Sequence, residues 1–419
     1  MKMKVFKFGG ASVKDADGLE RVAKILKSTD GKILVVVSAM GKTTNALERL
    51  VPKLNDSAAE KLIGEIEEYH IGIVKECIIG TQKDKAIAIL EEKFMELRKL
   101  VKEYPPDNYD ERYDQIVSYG EILSTHLIRF FLLDQGLPNE WFDIRRAIST
   151  DNNFRDAKVD FIETEKSFQS IVLPALTKSN IIITQGFIGC ASTGKTTTLG
   201  REGSDYTAAI IAYCINAESV TIWKDVPGVL NADPKKFKDT VKIDRISYQD
   251  AIELAYYGAS VIHPKTIKPL QNKNIPLFVK PFLNPPESGT CIDGNNASLS
   301  IPCFISKPNQ ALLSLSSKDF SFIAEENLSL VFDSFAKLKV KINMMQHSAI
   351  NFSVCFDNGP GKLSHLLDEF QDNYRVLYND NVELFTIRYY DQATIDKITS
   401  GRNILLEQRS RYTVQLVLK

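Results

Sequence analysis

The stretch GCASTGKTTTLGREGSD, residues 189–205, decides between two folds. Its first eight residues fit G-x-x-x-x-G-K-[ST], with Gly189, Gly194, Lys195 and Thr196 in the fixed positions. That pattern cradles phosphate when it opens directly into a helix whose first turn carries the Lys and Ser/Thr. A strand-like run, NIIITQGFI (180–188), leads into it, and VTIWKD (220–225) passes for the strand that ends in a metal-binding Asp. The residues after Lys195 argue the other way. TTTLG puts three β-branched threonines and a glycine where the helix should begin. A better start lies at Ser204-Asp205, ahead of YTAAIIAYCI, with apolar positions at helical spacing and Ser204 or Asp205 as the N-cap. That start comes about nine residues too late for a P-loop. Gly189–Thr196 therefore reads as a polar loop, and the working end of the stretch as Arg201, Ser204 and Asp205.

Outward from it the chain alternates strands and helices. Lys4–Phe8 is a short strand that runs into Gly9-Gly10, followed by a helical pattern through Leu19, Val22, Ala23, Ile25 and Leu26. ILVVV (33–37) is the β-branched run of a strand buried on both faces. Residues 55–135 are mostly helical by pattern, interrupted by the loop signal Tyr104-Pro105-Pro106-Asp107-Asn108. Strands resume at 180–188, 219–224 and 276–280. This order predicts an α/β fold with a mainly parallel sheet. Ligands of such sheets bind at the carboxyl ends of strands, so the loops after Phe8, Val37, Ile188 and Trp223 are where chemistry is expected. A boundary is expected between Pro281 and Pro308, which enclose a stretch rich in Pro, Gly and Asn. Beyond it, 311–317 reads as a strand, 326–338 as a helix, VKINMMQ and NFSVCF as strands and GKLSHLLDEF as a helix, the ferredoxin-like order.

Bulk properties narrow the class. A chain of 419 residues suggests two or three domains. A net charge of −1 gives no basic field for nucleic acid. The opening MKMKVFKFGG lacks the apolar segment of a signal peptide, and no long apolar run suggests a membrane span. The six cysteines show no C-x-x-C pair, and the five histidines show no H-E-x-x-H spacing. Reduced thiols in the cytoplasm and no protein-built metal site are expected.

Two segments are candidates for chemistry. In Lys7-Phe8-Gly9-Gly10-Ala11-Ser12, the glycines let backbone N–H groups approach a phosphate and the lysine reaches the same anion. The same residues also suit an ordinary tight turn. In Leu199–Asp205, an arginine, glycines and a helix start share one loop, which favours an anion site over a mere cap.

With those residues in place, the chain resembles aspartate kinases of the amino acid kinase family over essentially its whole length. The matching stretches are KFGGAS (7–12), VVSAMGKTTNAL (36–47), SYGEILSTHLI (118–128), ITQGFIG with GKTTTLGREGSDYTAA (183–209), WKDVPGVLNADPK (223–235) and YGASVIHPKTI (257–267). The resemblance implies a three-layer α/β/α sandwich at 1–300 and a ferredoxin-like, ACT-type region at 307–419. Within that region, 311–379 forms one module and 380–419 part of a second. It implies ATP and Mg²⁺ as cofactors, L-aspartate as acceptor and 4-phospho-L-aspartate as product, the entry to lysine, threonine and methionine synthesis. Lys7 and Asp205 would be catalytic. Arg201 would hold the α-carboxylate and Glu121 the α-ammonium, with Thr44 and Ser204 also on the substrate. Lys7, Gly9, Gly10 and Ser12 would line the phosphates, and Lys224, Asp225, Leu230 and Lys235 would lie along the nucleotide. Mg²⁺ would ride on nucleotide phosphates and water. The rival acceptors are glutamate or a small carboxylate or carbamate; a P-loop ATPase and a non-catalytic sensor are the rival classes.

The chain departs from the pattern at three places. Lys224 stands where many relatives carry threonine, Ser260 where many carry lysine, and Glu202 where glycine is common. An anion at 202 must face away from phosphate or weaken the site. In the regulatory half, Asn343 replaces a frequent aspartate, removing a charge that would meet an effector ammonium. Feedback by lysine or threonine and a homodimer built through the C-terminal region are the expectations there.

Overall fold

The computed structural model describes residues 3–52, 56–105, 108–175, 179–259, 261–295, 299, 301–319 and 321–419. The chain divides into two compact units. The first comprises Met1–Val229, Lys242–Ile252 and Val261–Asn296; the second comprises Leu230–Val241, Glu253–Ser260 and Ala297–Lys419.

In the first unit, β1 (Met3–Phe8) and β2 (Lys32–Val37) are buried along most of their length, as β-branched runs covered on both faces should be. Between them lie a 3₁₀ turn, Gly10–Val13, and α1 (Ala16–Lys27), capped by the Asp15 carboxylate. After β2 come α2 (Thr43–Glu48), α3 (Asp56–Cys77), α4 (Gly80–Glu103), α5 (Tyr109–Val117) and α6 (Tyr119–Asp134). Next are β3 (Glu140–Phe142), β4 (Ser149–Thr150), α7 (Phe161–Ser167), α8 (Leu173–Ala175), β5 (Ile181–Gln185), β6 (Ile188–Ala191), β7 (Thr196–Thr198) and α9 (Gly203–Ile215). β8 (Ser219–Lys224), β9 (Arg245–Ser247), α10 (Tyr248–Tyr257), α11 (Pro264–Asn272), β10 (Leu277–Pro281) and β11 (Thr290–Asp293) follow, with the end of α10 grouped in the second unit.

The main sheet runs β3-β5-β2-β1-β8-β10-β11-β9. Every pairing is parallel except β10 with β11. On one side, Phe6, Phe8, Val35 and Val37 share a core with Leu19 and Val22 of α1, Ile66 of α3, Phe94 of α4 and Phe131 of α6. α9 packs against β1, β2 and β8 and against α11. This is a three-layer α/β/α sandwich. Phe8 is level with both Val37 and Trp223, and Val37 with Gln185, so the loops that leave β1, β2, β8 and β5 open at one edge. The α5–α6 segment, Tyr109–Asp134, is long and apolar enough to cross a membrane on those two counts, contrary to the sequence reading. However, 78 % of its apolar window is buried in the fold, as in a core helix.

The structure corrects two local readings. Residues 189–196 are not an irregular loop: β6 and β7 pair antiparallel as a hairpin, joined to β4 in a three-stranded sheet. The threonine run that made a poor helix start makes a good strand. Nor do Ser204 or Asp205 cap α9. Glu202 occupies the N-cap in the left-handed conformation, φ 54°, with no side-chain cap bond, which leaves Ser204 and Asp205 in the first turn.

The second unit is built on one antiparallel sheet, in the order β13-β14-β12-β15-β17-β16. Its elements are β12 (Cys303–Ser317), α12 (Glu325–Lys337), β13 (Ile342–His347), β14 (Asn351–Asp357), α13 (Lys362–Phe370), β15 (Tyr374–Arg388), α14 (Gln392–Thr399), β16 (Ile404–Arg409) and β17 (Thr413–Leu418). The expected ferredoxin-like order is present from β12 to β15. The two 15-residue strands β12 and β15 each serve two modules. Gln310–Ser317 pairs with the first part of β15, Cys303–Lys307 with its last part, and the register shifts between them. The segment that follows 380 is thus joined by a strand from upstream of 308. Phe335, Phe352 and Phe370 centre one core, and Phe385, Ile395 and Val414 another.

Candidate active site

The loops at the level strand ends are laced together. The Ser38 N–H donates to the Phe8 carbonyl at 3.1 Å and the Gly41 N–H to the Gly10 carbonyl at 3.0 Å. A Cβ on Gly10 would stand 2.5 Å from the Ala39 carbonyl oxygen, so only glycine allows this approach. Likewise a Cβ on Gly186 would meet Ser204 at 2.4 Å. These close contacts bring β1, β2, β5 and the start of α9 around a cavity of about 520 Å³.

Eight of the residues named from sequence line it: Lys7, Gly10, Thr44, Glu121, Arg201, Ser204, Asp205 and Lys224. Asp205 is 2 % exposed and binds two cations, Lys7 Nζ at 2.6 Å and Lys224 Nζ at 3.2 Å. Burial works against its charge, but the two ammoniums outweigh burial and hold the carboxyl below its usual value. Lys224 also donates to the Val261 carbonyl. Glu121 is 3 % exposed; its Oε1 accepts from the Ala39 N–H at 3.1 Å, while Oε2 has no partner among the described residues. Burial pushes the Glu121 carboxyl up to about 8, against the pull of the Ala39 bond and of Lys7. An unpartnered acid of this kind is suited to receive an ammonium group brought by a ligand.

Of the other candidates, Gly9, Ser12, Asp225, Leu230 and Lys235 are not among the residues that line the cavity. Gly9 is the N-cap of the turn Gly10–Val13, and its carbonyl accepts from the N–H of buried Ser12. Asp225 is exposed at the end of β8. Leu230 and Lys235 belong to the second unit, where the Lys235 N–H donates to the Asp233 carboxylate. Ser260 lies outside the described residues. Lys195 is tied at 2.5 Å to Glu111, whose carboxylate also accepts from Tyr104. Glu202 is part of the cavity wall, with one carboxylate oxygen buried and without a partner among the described residues.

Sequence reading missed Ser38, Tyr113, Arg155 and Phe187 in the same wall. Ser38 and Phe187 follow strand ends, a signal that was available. Tyr113 and Arg155 come from a helix and a distant loop, and only the tertiary fold joins them. No group of three or more His, Cys, Asp or Glu side chains among the described residues is arranged to hold a metal ion. The cavity therefore offers cations and, on Glu121 and Glu202, carboxylate oxygens with no partner among the described residues, an arrangement suited to an anion that carries an ammonium group and to charge on a transferring phosphoryl.

Comparison with known proteins agrees in extent. Residues 2–281 match the amino acid kinase family. The chain is 33 % identical over 360 residues to lysine-sensitive aspartokinase 3 of Escherichia coli (strain K12), covering 84 % of this chain and 78 % of that one. It is 29 % identical to the chloroplastic bifunctional aspartokinase/homoserine dehydrogenase 2 of Zea mays, of which it spans 41 %. The structure of Escherichia coli aspartokinase III with aspartate and ADP has a TM-score of 0.83 at 28 % identity, covering 100 % of this chain and 96 % of that one.

Proposed function

The chain belongs to the amino acid kinase family, and from that premise we propose that it is an ATP-dependent aspartate kinase. It transfers the γ-phosphoryl group of ATP to the β-carboxylate of L-aspartate and releases ADP and 4-phospho-L-aspartate. The observation that carries this reading is the placement of Glu121 and Arg201 in one cavity with the Lys7–Asp205–Lys224 cluster. The first pair matches the two ends of an α-amino acid, and the cluster matches phosphate. The match to Escherichia coli aspartokinase III, solved with aspartate and ADP, supports it.

The acceptor carboxylate is ionised at neutral pH and needs no general base. It attacks the γ-phosphorus while the bond to the ADP oxygen breaks. The obstacle is the meeting of two anions, so the protein supplies charge and alignment. Lys7 and Lys224 face the phosphates, fixed by Asp205. The Gly10 loop brings backbone close to them. Mg²⁺ bound with the nucleotide would supply further charge neutralisation, held by phosphates and water. Arg201, Thr44 and Ser204 orient aspartate, and Glu121 accepts its ammonium.

We read 1–300 as the catalytic region and 307–419 as an ACT-type region that pairs two chains in a cytoplasmic homodimer and takes lysine or threonine. The Escherichia coli relative is named lysine-sensitive. Here the Asn343 carbonyl already accepts from Lys307 at 2.8 Å, and its amide donates to Gln310 at 2.7 Å and Asp357 at 2.8 Å. An effector ammonium must find another acceptor.

The test is ADP release from Mg²⁺-ATP with and without L-aspartate, for wild type, Lys7→Ala, Asp205→Ala and Lys195→Ala. Aspartate-dependent release, lost in the first two variants and kept in the third, is expected. Loss in Lys195→Ala alone would restore the P-loop reading.

A further inference from the structure

Arg155 belongs to none of the motifs, yet it lines the active-site cavity beside Gly200, Arg201 and Glu202. Resting on the aspartate kinase reading, we infer that Arg155 is a substrate-binding residue whose guanidinium, together with that of Arg201, holds the α-carboxylate of the amino-acid acceptor.

Arg155 has φ 68°, in the left-handed region that a long side chain rarely occupies. Its N–H is fixed by both oxygens of the buried Asp114 carboxylate, at 3.0 and 3.2 Å. The same carboxylate takes the Thr198 N–H at 2.8 Å and the Thr198 hydroxyl at 2.7 Å, and the Ala157 N–H donates to the Thr198 carbonyl at 3.0 Å. One acid therefore sets the loop of Arg155 and the strand that leads to Arg201 in a single frame. A Cβ on Gly200 would stand 3.2 Å from the Arg155 carbonyl oxygen, so the two segments touch. A residue in this conformation, held by these bonds, presents its side chain in one fixed direction.

The Arg155 side chain is held as well. Its guanidinium lies over the Tyr113 ring, 4.6 Å from the centroid, and 5.7 Å from that of Tyr109 one turn away on α5. Stacking on an aromatic surface fixes the plane and leaves the edge donors free. One edge meets Asp110 at 3.1 Å, with both side chains about half exposed. An ion pair in that setting contributes little and yields readily to a better placed carboxylate.

Lys7 and Lys224 are paired with Asp205 and, on the aspartate kinase reading, face the phosphates. Arg201 forms no ion pair among the described residues. L-Aspartate brings two carboxylates, and the one that is not phosphorylated must be held away from the lysines. Arg155 and Arg201 are the cations that the cavity offers there.

The variant Arg155→Gly removes the guanidinium and suits the left-handed backbone. We expect the KM for L-aspartate to rise about tenfold, as for one lost charge-assisted contact. kcat and the KM for ATP should stay within about twofold, and the thermal midpoint should hold or rise. With the α-amide of L-aspartate as acceptor, the variant and wild type should have equal KM values. Asp110→Asn, which frees the fork, should lower the KM for L-aspartate. A KM for L-aspartate in Arg155→Gly within twofold of wild type, or an equal rise with the α-amide, overturns the inference. Those results leave the aspartate kinase reading intact, because wild-type ADP release would still depend on aspartate. Aspartate-independent release by wild type overturns both.

Discussion

Gly189–Thr196 and Gly200–Asp205 are separated only by Thr197, Thr198 and Leu199, and both carry glycines, a cation and at least one hydroxyl. The first half closes into a hairpin whose lysine is part-exposed, held by Glu111 and not among the residues that line the cavity. The second half turns through two left-handed residues, Gly200 at φ 74° and Glu202 at φ 54°, into the first turn of α9. That turn faces the level ends of the parallel strands. An anion site needs its cation unpaired or shared with the ligand, and its N–H groups aimed at one point. Both halves offer glycines, a cation and a hydroxyl, and the second adds the carboxylates of Glu202 and Asp205. The shared residue types are separated by the backbone to which each is attached.

The largest effect that sharpens this comparison is expected at the cluster fed by the second half. Lys7→Ala and Asp205→Ala should each lower kcat about a thousandfold, the order found when preorganised charge is removed from a transition state, with folding checked by circular dichroism. Next is Gly10→Ala, which drives a methyl group into the Ala39 carbonyl. It should destabilise by about 2 kcal/mol and lower kcat/KM with it, read by denaturant unfolding and steady-state kinetics.

A smaller effect is pH dependence. Glu121 has its carboxyl raised to about 8 by burial, so in the empty site below that pH it is protonated and neutral. An ammonium ligand requires the ionised form. The KM for L-aspartate should therefore fall as pH rises toward about 8 and flatten above it, by up to about tenfold per pH unit. Glu121→Gln should show a high KM without this slope; a pH-independent wild-type KM would count against the assignment. The smallest effect belongs to the first half. Lys195→Ala removes an ion pair whose lysine side chain is 45 % exposed, and kcat/KM should stay within about twofold. A loss as large as that of Lys7→Ala would erase the contrast between the halves.

The same contrast marks how far sequence carries. β1, β2 and the alanine-rich α9 were legible because period and composition are local, and Lys7, Glu121 and Asp205 because each stands in a recognisable stretch. Arg155 and Tyr113 were not, since neither a loop arginine nor a helix tyrosine signals that Asp114 will draw them to one cavity. The helix cap was misplaced because Ser and Asp are good caps in general. Here Asp205 is taken by two lysines and Ser204 packs against Gly186. The hairpin was read as a loop because the strand preference of TTT acts only once β6 lies beside it.

The shared strands β12 and β15 have a consequence for taking the second unit apart. Its two modules are adjacent in space but interleaved in the chain, since the strand beside the last part of β15 is Cys303–Lys307. A chain stopped after residue 379 would lose β16 and β17 and also leave Cys303–Lys307 as an unpaired ribbon edge, open to other chains. The last forty residues are therefore not an appendage that gene truncation or proteolysis can remove cleanly: the unit is inherited, and lost, whole.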